Sequence, residues 1–235
     1  MKRIEFLKSL GLGFLTSTAV AACASTDTAT PDAGSTTTTG STNGSSASDC
    51  TTTPAETAGP FPTKSPSGLV KNDIRSDRSG LMMTTAIAIK NKNASCAALK
   101  DAIVDIWHCD ADGSYSEYAN YTSVSFLRGR QTTDANGLVT FTSIFPGWYG
   151  GRAPHIHVHV YNASGKSLLV TQIAFPKTVC DTVYGTANTF YKKGLQDTTN
   201  ERDNVFRDGF ATEMAALTGS VKDGYALTHT IVVNA

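Results

Sequence analysis

Pro146-Gly147-Trp148-Tyr149-Gly150-Gly151-Arg152-Ala153-Pro154-His155-Ile156-His157-Val158-His159-Val160 is the stretch from which the fold of this chain is read. Beyond its Pro and Gly residues, aliphatic side chains alternate with histidines, the period-2 pattern of a β-strand. Side chains at i and i+2 of a strand leave the same face, about 6.5–7 Å apart. Two imidazoles at that spacing can converge on one metal ion, so His155 and His157 read as a ligating pair. His159 shares their face but lies about 13 Å from His155 along the strand, too far for the same ion, and reads as structural or supporting.

Working outward, apolar or alternating runs recur at 81–89, 102–108, 124–127, 138–144, 168–175 and 225–233. Turn-forming clusters such as Asp110-Ala111-Asp112-Gly113 and Asp134-Ala135-Asn136-Gly137 separate them. The pattern predicts a mostly β protein, an antiparallel β-sandwich with long loops and little helix. Helical spacing at 205–217 predicts one short helix, with Gly209 weakening it.

The N-terminal segment reads as targeting rather than fold. Lys2, Arg3 and Lys8 form a basic region, and an apolar stretch ends at Val20-Ala21-Ala22-Cys23, which resembles a bacterial lipobox. Residues 1–22 are therefore expected to be a signal peptide and Cys23 the lipidated residue. Residues 24–49 contain 14 Ser or Thr and read as a disordered tether. An exported protein held to a membrane through its lipid is the expectation. The domain proper is expected at 50–235. Without the leader, 17 basic residues face 19 acidic ones, so no basic excess points to nucleic acid. Cys50, Cys96, Cys109 and Cys180 remain, an even number that favours disulfides in an exported chain. A continuous strand between Cys96 and Cys109 would hold those two beyond bridging distance.

Imidazole alone suits zinc, copper, iron or nickel. Tyrosine narrows the choice. Tyr149 sits six residues before His155, and Tyr115 closes a second distinctive string, Val104-Asp105-Ile106-Trp107-His108-Cys109-Asp110-Ala111-Asp112-Gly113-Ser114-Tyr115. A phenol with an ordinary pKa near ~10 loses its proton at neutral pH only to a strongly Lewis-acidic ion, and ferric iron is the natural candidate.

At these residues the chain resembles the intradiol ring-cleavage dioxygenases, the family of protocatechuate 3,4-dioxygenase and catechol 1,2-dioxygenase. The resemblance begins at Thr53-Pro54-Ala55-Glu56-Thr57-Ala58-Gly59-Pro60-Phe61 and continues through the Trp107–Tyr115 string and 126–137. It closes with 146–157 and Thr171-Gln172. It implies that Tyr115, Tyr149, His155 and His157 bind one non-haem Fe(III) per chain. Two phenolates and a hydroxide would then balance the ion's charge. It further implies a catechol-type substrate, O2 as co-substrate and a cis,cis-muconate-type product. Tyr149 is the expected labile ligand and base, Arg152 the group that steadies negative charge on the ring, and Gln172 a lining residue. Two departures leave the substrate open. Only Gly150 to Pro154 separate the second tyrosine from the H-x-H, a shorter loop than the typical enzymes carry, and a Ser/Thr tether replaces their helical N-terminal segment. The competing readings are a non-catalytic binding module of the same fold and a zinc or copper site built on the H-x-H. Oligomeric state is left open.

Overall fold

In the strand that carries the histidines, Ile156, Val158 and Val160 point one way and His155, His157 and His159 the other, as strand alternation requires. The aliphatic set enters the main hydrophobic core; the histidines face away from it. This computed structural model describes residues 50–235; the expected signal peptide, the lipidated Cys23 and the tether lie outside the described residues.

The strands are β1 (Met82–Asn91), β2 (Ala97–Ala98), β3 (Ile103–Trp107), β4 (Arg128–Thr132), β5 (Leu138–Ile144), β6 (His155–Tyr161), β7 (Ser167–Ala174), β8 (Ala216–Ser220) and β9 (Gly224–Val233). They form two sheets. One has the order β2-β1-β9-β8 with β5 also paired to β1, and the other the order β4-β3-β6-β7. The pairings are antiparallel except β1 with β9, which run parallel over Met83–Asn91 and Tyr225–Val233. Residues Met83, Ile87 and Ile89 of the first sheet and Val104, Ile106, Ile156 and Val158 of the second fill the core between them. The predicted mostly β fold of two sheets is what the chain adopts.

Two local expectations are corrected. The strand expected at 124–127 begins instead at Arg128, because Leu127 takes a left-handed φ of 54° and its N–H bonds to the Ile74 carbonyl outside any strand. The polar R-G-R-Q-T segment is the strand, and Arg130 pairs bidentately with Asp105 on the neighbouring β3 at 2.6 and 2.7 Å. The helix expected at 205–217 is a single 3-10 turn, Phe206–Asp208, ended by Gly209 at φ +113°. The apolar residues that suggested it, Phe206, Phe210 and Met214, instead pack on Ala153 and Ala174. The one α-helix among the described residues, α1 (Lys177–Thr186), was not foreseen, although Cys180, Val183 and Tyr184 give it a buried i, i+3, i+4 stripe. Cys50 and Cys96 form a disulfide, while Cys109 and Cys180 are buried free thiols.

One buried carboxyl gives a pH signature. Glu213 is fully buried; one oxygen accepts from Thr171 Oγ1 at 3.0 Å and the other has no partner. Burial, reinforced by Glu56 and Asp208, pushes its pKa from 4.5 up to about 8. The folded state therefore keeps this proton up to pH near 8, while the unfolded chain releases it near 4.5. Stability contributed by the protonated group is lost as pH rises through the folded value. The histidines with resolved shifts are all lowered, so their influence falls below pH 6.5. The melting temperature is expected to decline between pH 6.5 and 8.5, and Glu213→Gln to flatten that decline. Equal slopes for the two proteins would show that Glu213 is already ionised in the folded state.

Candidate metal centre

The face of β6 that points away from the core is roofed by two segments. Residues 53–63 cross it from the N-terminal side, tied by Thr53 N–H to the Val232 carbonyl at 3.0 Å and Glu56 N–H to the Val170 carbonyl at 2.8 Å. The loop after β3 brings Tyr115 in from the other side. Phe61 joins the two, its ring stacked on Tyr115 with centroids 4.7 Å apart.

Beneath this roof His155 Nε2 and His157 Nε2 stand 3.1 Å apart. Two nitrogens bound at right angles to one ion through bonds of ~2.1 Å lie about 3 Å apart, so the pair is already spaced as ligands of a common ion. His155 Nδ1 lies 2.6 Å from the Ala153 carbonyl and is the donor there, which leaves Nε2 as a bare lone pair. His157 is held flat against Trp107, with centroids 4.8 Å apart and planes 1° from parallel. Gly59 passes over its edge at φ +67°, and a Cβ there would sit 3.1 Å from His157 Cε1. Glycine is required by both the backbone angle and the close approach.

Tyr115 Oη lies 3.3 Å from His155 Nε2. The Tyr149 ring stands edge-on to both Tyr115 and His155, with centroids 5.8 Å away in each case. The four side chains named from the sequence therefore converge, through two neighbouring strand positions and two loops.

Electrostatics favour neutral donors. Burial, then the positive Arg152, lowers His155 to about 3, and burial with His155 and Arg152 pushes His157 well below its usual value. Burial raises Tyr115 well above 10. Tyr149 is raised by burial too, with Arg152 pulling the other way. Two phenols and two neutral imidazoles thus form a donor set with no charge of its own, beside the Arg152 guanidinium. A strongly positive ion is what such a donor set can accept, since it alone offsets the cost of forming two buried phenolates.

Arg152 and Gln172 lie at the same place. Arg152 Nη2 donates to Gln172 Oε1 at 2.5 Å, and Arg152 Nη1 is 3.5 Å from His155 Nε2. Gln172 lies opposite His157 in the β6–β7 register and donates its own N–H to the Thr57 carbonyl at 2.8 Å. His159 stays out of the cluster, with Ser167 Oγ and Tyr161 Oη each 2.8 Å from its ring nitrogens. His108 is equally separate, enclosed between Ser143 Oγ and the Cys109 carbonyl.

Sequence reasoning missed Asp203 and Arg128. Asp203 is fully buried and receives Arg152 Nε at 2.9 Å. Arg128 is fully buried behind Tyr115 and bonded to the loop and to the roof. Asp203 stands in an unremarkable polar run. Arg128 lies within the 126–137 stretch of the family resemblance, where nothing local marks its cation as buried.

A family model described as dioxygenase matches residues 61–205. Among solved structures, the chain is similar to an intradiol ring-cleavage dioxygenase from Tetranychus urticae, with 27% identity and a TM-score of 0.71 over 79% of this chain and 95% of that one. It also shares its fold with the dioxygenase domain of a carbohydrate-binding fusion protein from Streptomyces sp. SirexAA-E, at 24% identity, TM-score 0.57, and coverage of 77% and 97%. A third similar structure is 3-chlorocatechol 1,2-dioxygenase from Rhodococcus opacus 1CP, at 19% identity, TM-score 0.55, and coverage of 77% and 71%. No curated protein sequence matches the chain. The mostly β, two-sheet fold is the fold of the solved intradiol dioxygenases. The chain belongs to the intradiol ring-cleavage dioxygenase family.

Proposed function

We propose that this chain is a ferric, non-haem intradiol dioxygenase that opens a catechol-type ring between its two hydroxyls, with O2, to a cis,cis-muconate-type diacid. The observation that carries the reading is the convergence of Tyr115, Tyr149, His155 and His157 around one space, with two histidine nitrogens 3.1 Å apart. Fe(III) bound there would supply Lewis acidity enough to hold phenolates and a catecholate and to make the bound ring reactive toward O2.

The chain's own groups divide the remaining work. Tyr115 is enclosed by Phe61 and the core of its loop, which suits a ligand that stays. Tyr149 is only half-buried, which suits a ligand that swings away and takes a substrate proton on its oxygen. His155 and His157, held neutral and fixed by Ala153 and Trp107, would hold the ion independently of Tyr149. Arg152 carries a fixed positive charge beside the site, where it would stabilise negative charge on the reacting ring. Glycines at 150 and 151, both exposed, leave the entrance beside Tyr149 uncrowded.

A zinc or copper site on the H-x-H would call for further donors. Among the described residues no group of three or more His, Cys, Asp or Glu side chains is placed to hold an ion. The deciding experiment loads purified protein with iron, records its colour and follows O2 uptake with catechol, protocatechuate and hydroxyquinol. A red phenolate-to-iron charge-transfer band is expected, altered in Tyr149→Phe, with a product cleaved between the hydroxyls. Protein that stays colourless after loading, or a ring opened outside the hydroxyls, overturns the assignment.

A further inference from the structure

We propose that Asp203 is a positioning residue that fixes the plane of the Arg152 guanidinium, so that its Nη1 is aimed at the reacting centre. The inference rests on the ferric dioxygenase reading and adds to it a residue from a distant loop.

The Asp203 carboxylate is completely enclosed, and its oxygens are shared among three donors. Both oxygens lie 2.9 Å from Arg152 Nε; Oδ2 also accepts from Ala153 N–H at 2.7 Å and Oδ1 from Val205 N–H at 2.9 Å. The two backbone bonds hold the carboxylate still, so the Nε contact has a fixed direction. Next along the same edge of the guanidinium, Nη2 donates to Gln172 Oε1 at 2.5 Å. The Gln172 amide cannot turn over without losing its bond to the Thr57 carbonyl at 2.8 Å. Clamped at Nε and Nη2, a planar guanidinium has no rotation left.

Nη1 remains, 3.5 Å from His155 Nε2. That imidazole nitrogen is the one the iron would take, so a bound ion leaves Nη1 facing the ligand sphere with donors to spare. A donor already aimed where charge develops costs no reorganisation during reaction, which is how fixed groups lower a barrier. The pair is 13% exposed at Arg152 and not at all at Asp203. Screening by water, which makes most surface ion pairs worth little, is therefore largely absent. The Asp203 carboxylate also reaches the metal ligands indirectly, since the Ala153 residue it holds by N–H gives its carbonyl to His155 Nδ1.

The test compares wild type, Asp203→Asn, Arg152→Gln and the double variant, each loaded with iron. Four quantities are read: iron content, the charge-transfer band, the anaerobic Kd for catechol from the colour change, and kcat per bound iron. For Asp203→Asn the iron content and band are expected to hold, the catechol Kd to move less than about threefold, and kcat per iron to fall about 10–100-fold. With Arg152 already replaced, removing the Asp203 charge is expected to cost less than about threefold more, because groups acting as one unit are not additive. The charge-neutral double variant keeps this comparison available if Asp203→Asn alone does not fold. Losses that multiply in the double variant would overturn the proposal, since they would mean Asp203 acts only through Ala153 and Val205. An unchanged kcat per iron in Asp203→Asn, or loss of iron from it, would overturn it as well. Absence of colour and O2 uptake in the wild type would instead remove the dioxygenase reading beneath it.

Discussion

On the ferric reading, His157→Ala is expected to strip the protein of iron and lower O2-dependent ring cleavage by on the order of 10³-fold or more, as loss of a direct ligand would exceed the 10–100-fold typical of outer hydrogen-bond partners. His157 is enclosed between Trp107 and Gly59, and its Nδ1 lies near the Thr57 backbone without a well-formed hydrogen bond. Its ring is therefore held by packing, and what it gives the site is the Nε2 lone pair. Removing it leaves one imidazole and two phenols that burial holds protonated, a set with little affinity for any ion. His159→Ala is the control, since His159 is two residues along the same strand but its ring bonds to Ser167 and Tyr161. Metal analysis of both variants checks the assignment. Stoichiometric iron in His157→Ala, or equal loss in both, would contradict it.

Arg128→Met is expected to destabilise the domain by about 3–5 kcal/mol, the cost of breaking a buried charge arrangement by removing one partner. In a domain of this size that lowers the melting temperature by roughly 6–20 °C. Arg128 donates to Ser116 Oγ at 2.9 Å, the Ser116 carbonyl at 2.7 Å, the Phe61 carbonyl at 3.0 Å and Thr63 Oγ1 at 3.1 Å. Glu117, 3.5 Å away, supplies the counter-charge and is itself bonded to the Lys64 N–H at 2.8 Å. One cation thus joins the roof to the loop that carries Tyr115. Methionine fills the space and satisfies none of these acceptors. Lysine is expected to recover only part of the loss, because a single ammonium cannot reach both segments. Denaturant unfolding of the iron-free protein measures the effect. A change below about 1 kcal/mol would show that water or a shifted Lys64 takes over the acceptors.

Legibility followed range along the chain. The H-x-H strand, its bounds and the direction of its histidines were readable from alternation alone, as was β5 at Leu138–Ile144. Tyr149 and Arg152 are close in sequence to His155, so the turn that presents them was visible too. Tyr115 lies 40 residues from His155 and was reachable only through the family resemblance, since no local pattern says which tyrosine of eight enters a site. The strand at Arg128–Thr132 was misplaced because its residues are polar, and what buries them is pairing with Asp105, Ser116 and Phe61 rather than their own hydrophobicity. The helix at Lys177–Thr186 went unread because its apolar stripe is only three residues wide.

By itself the sequence determined that two histidines would share one face of a strand, because a period of two allows nothing else. It also determined that tyrosines stand among the candidate donors, and hence which kind of ion the set would suit. Tertiary structure decided whether those donors meet. Only packing brings the Tyr115 loop under Phe61, turns Gly59 across His157 and buries Asp203 beside Arg152. These contacts join positions tens of residues apart, and their energy comes from burying charges and rings that read, in the chain alone, as ordinary surface residues.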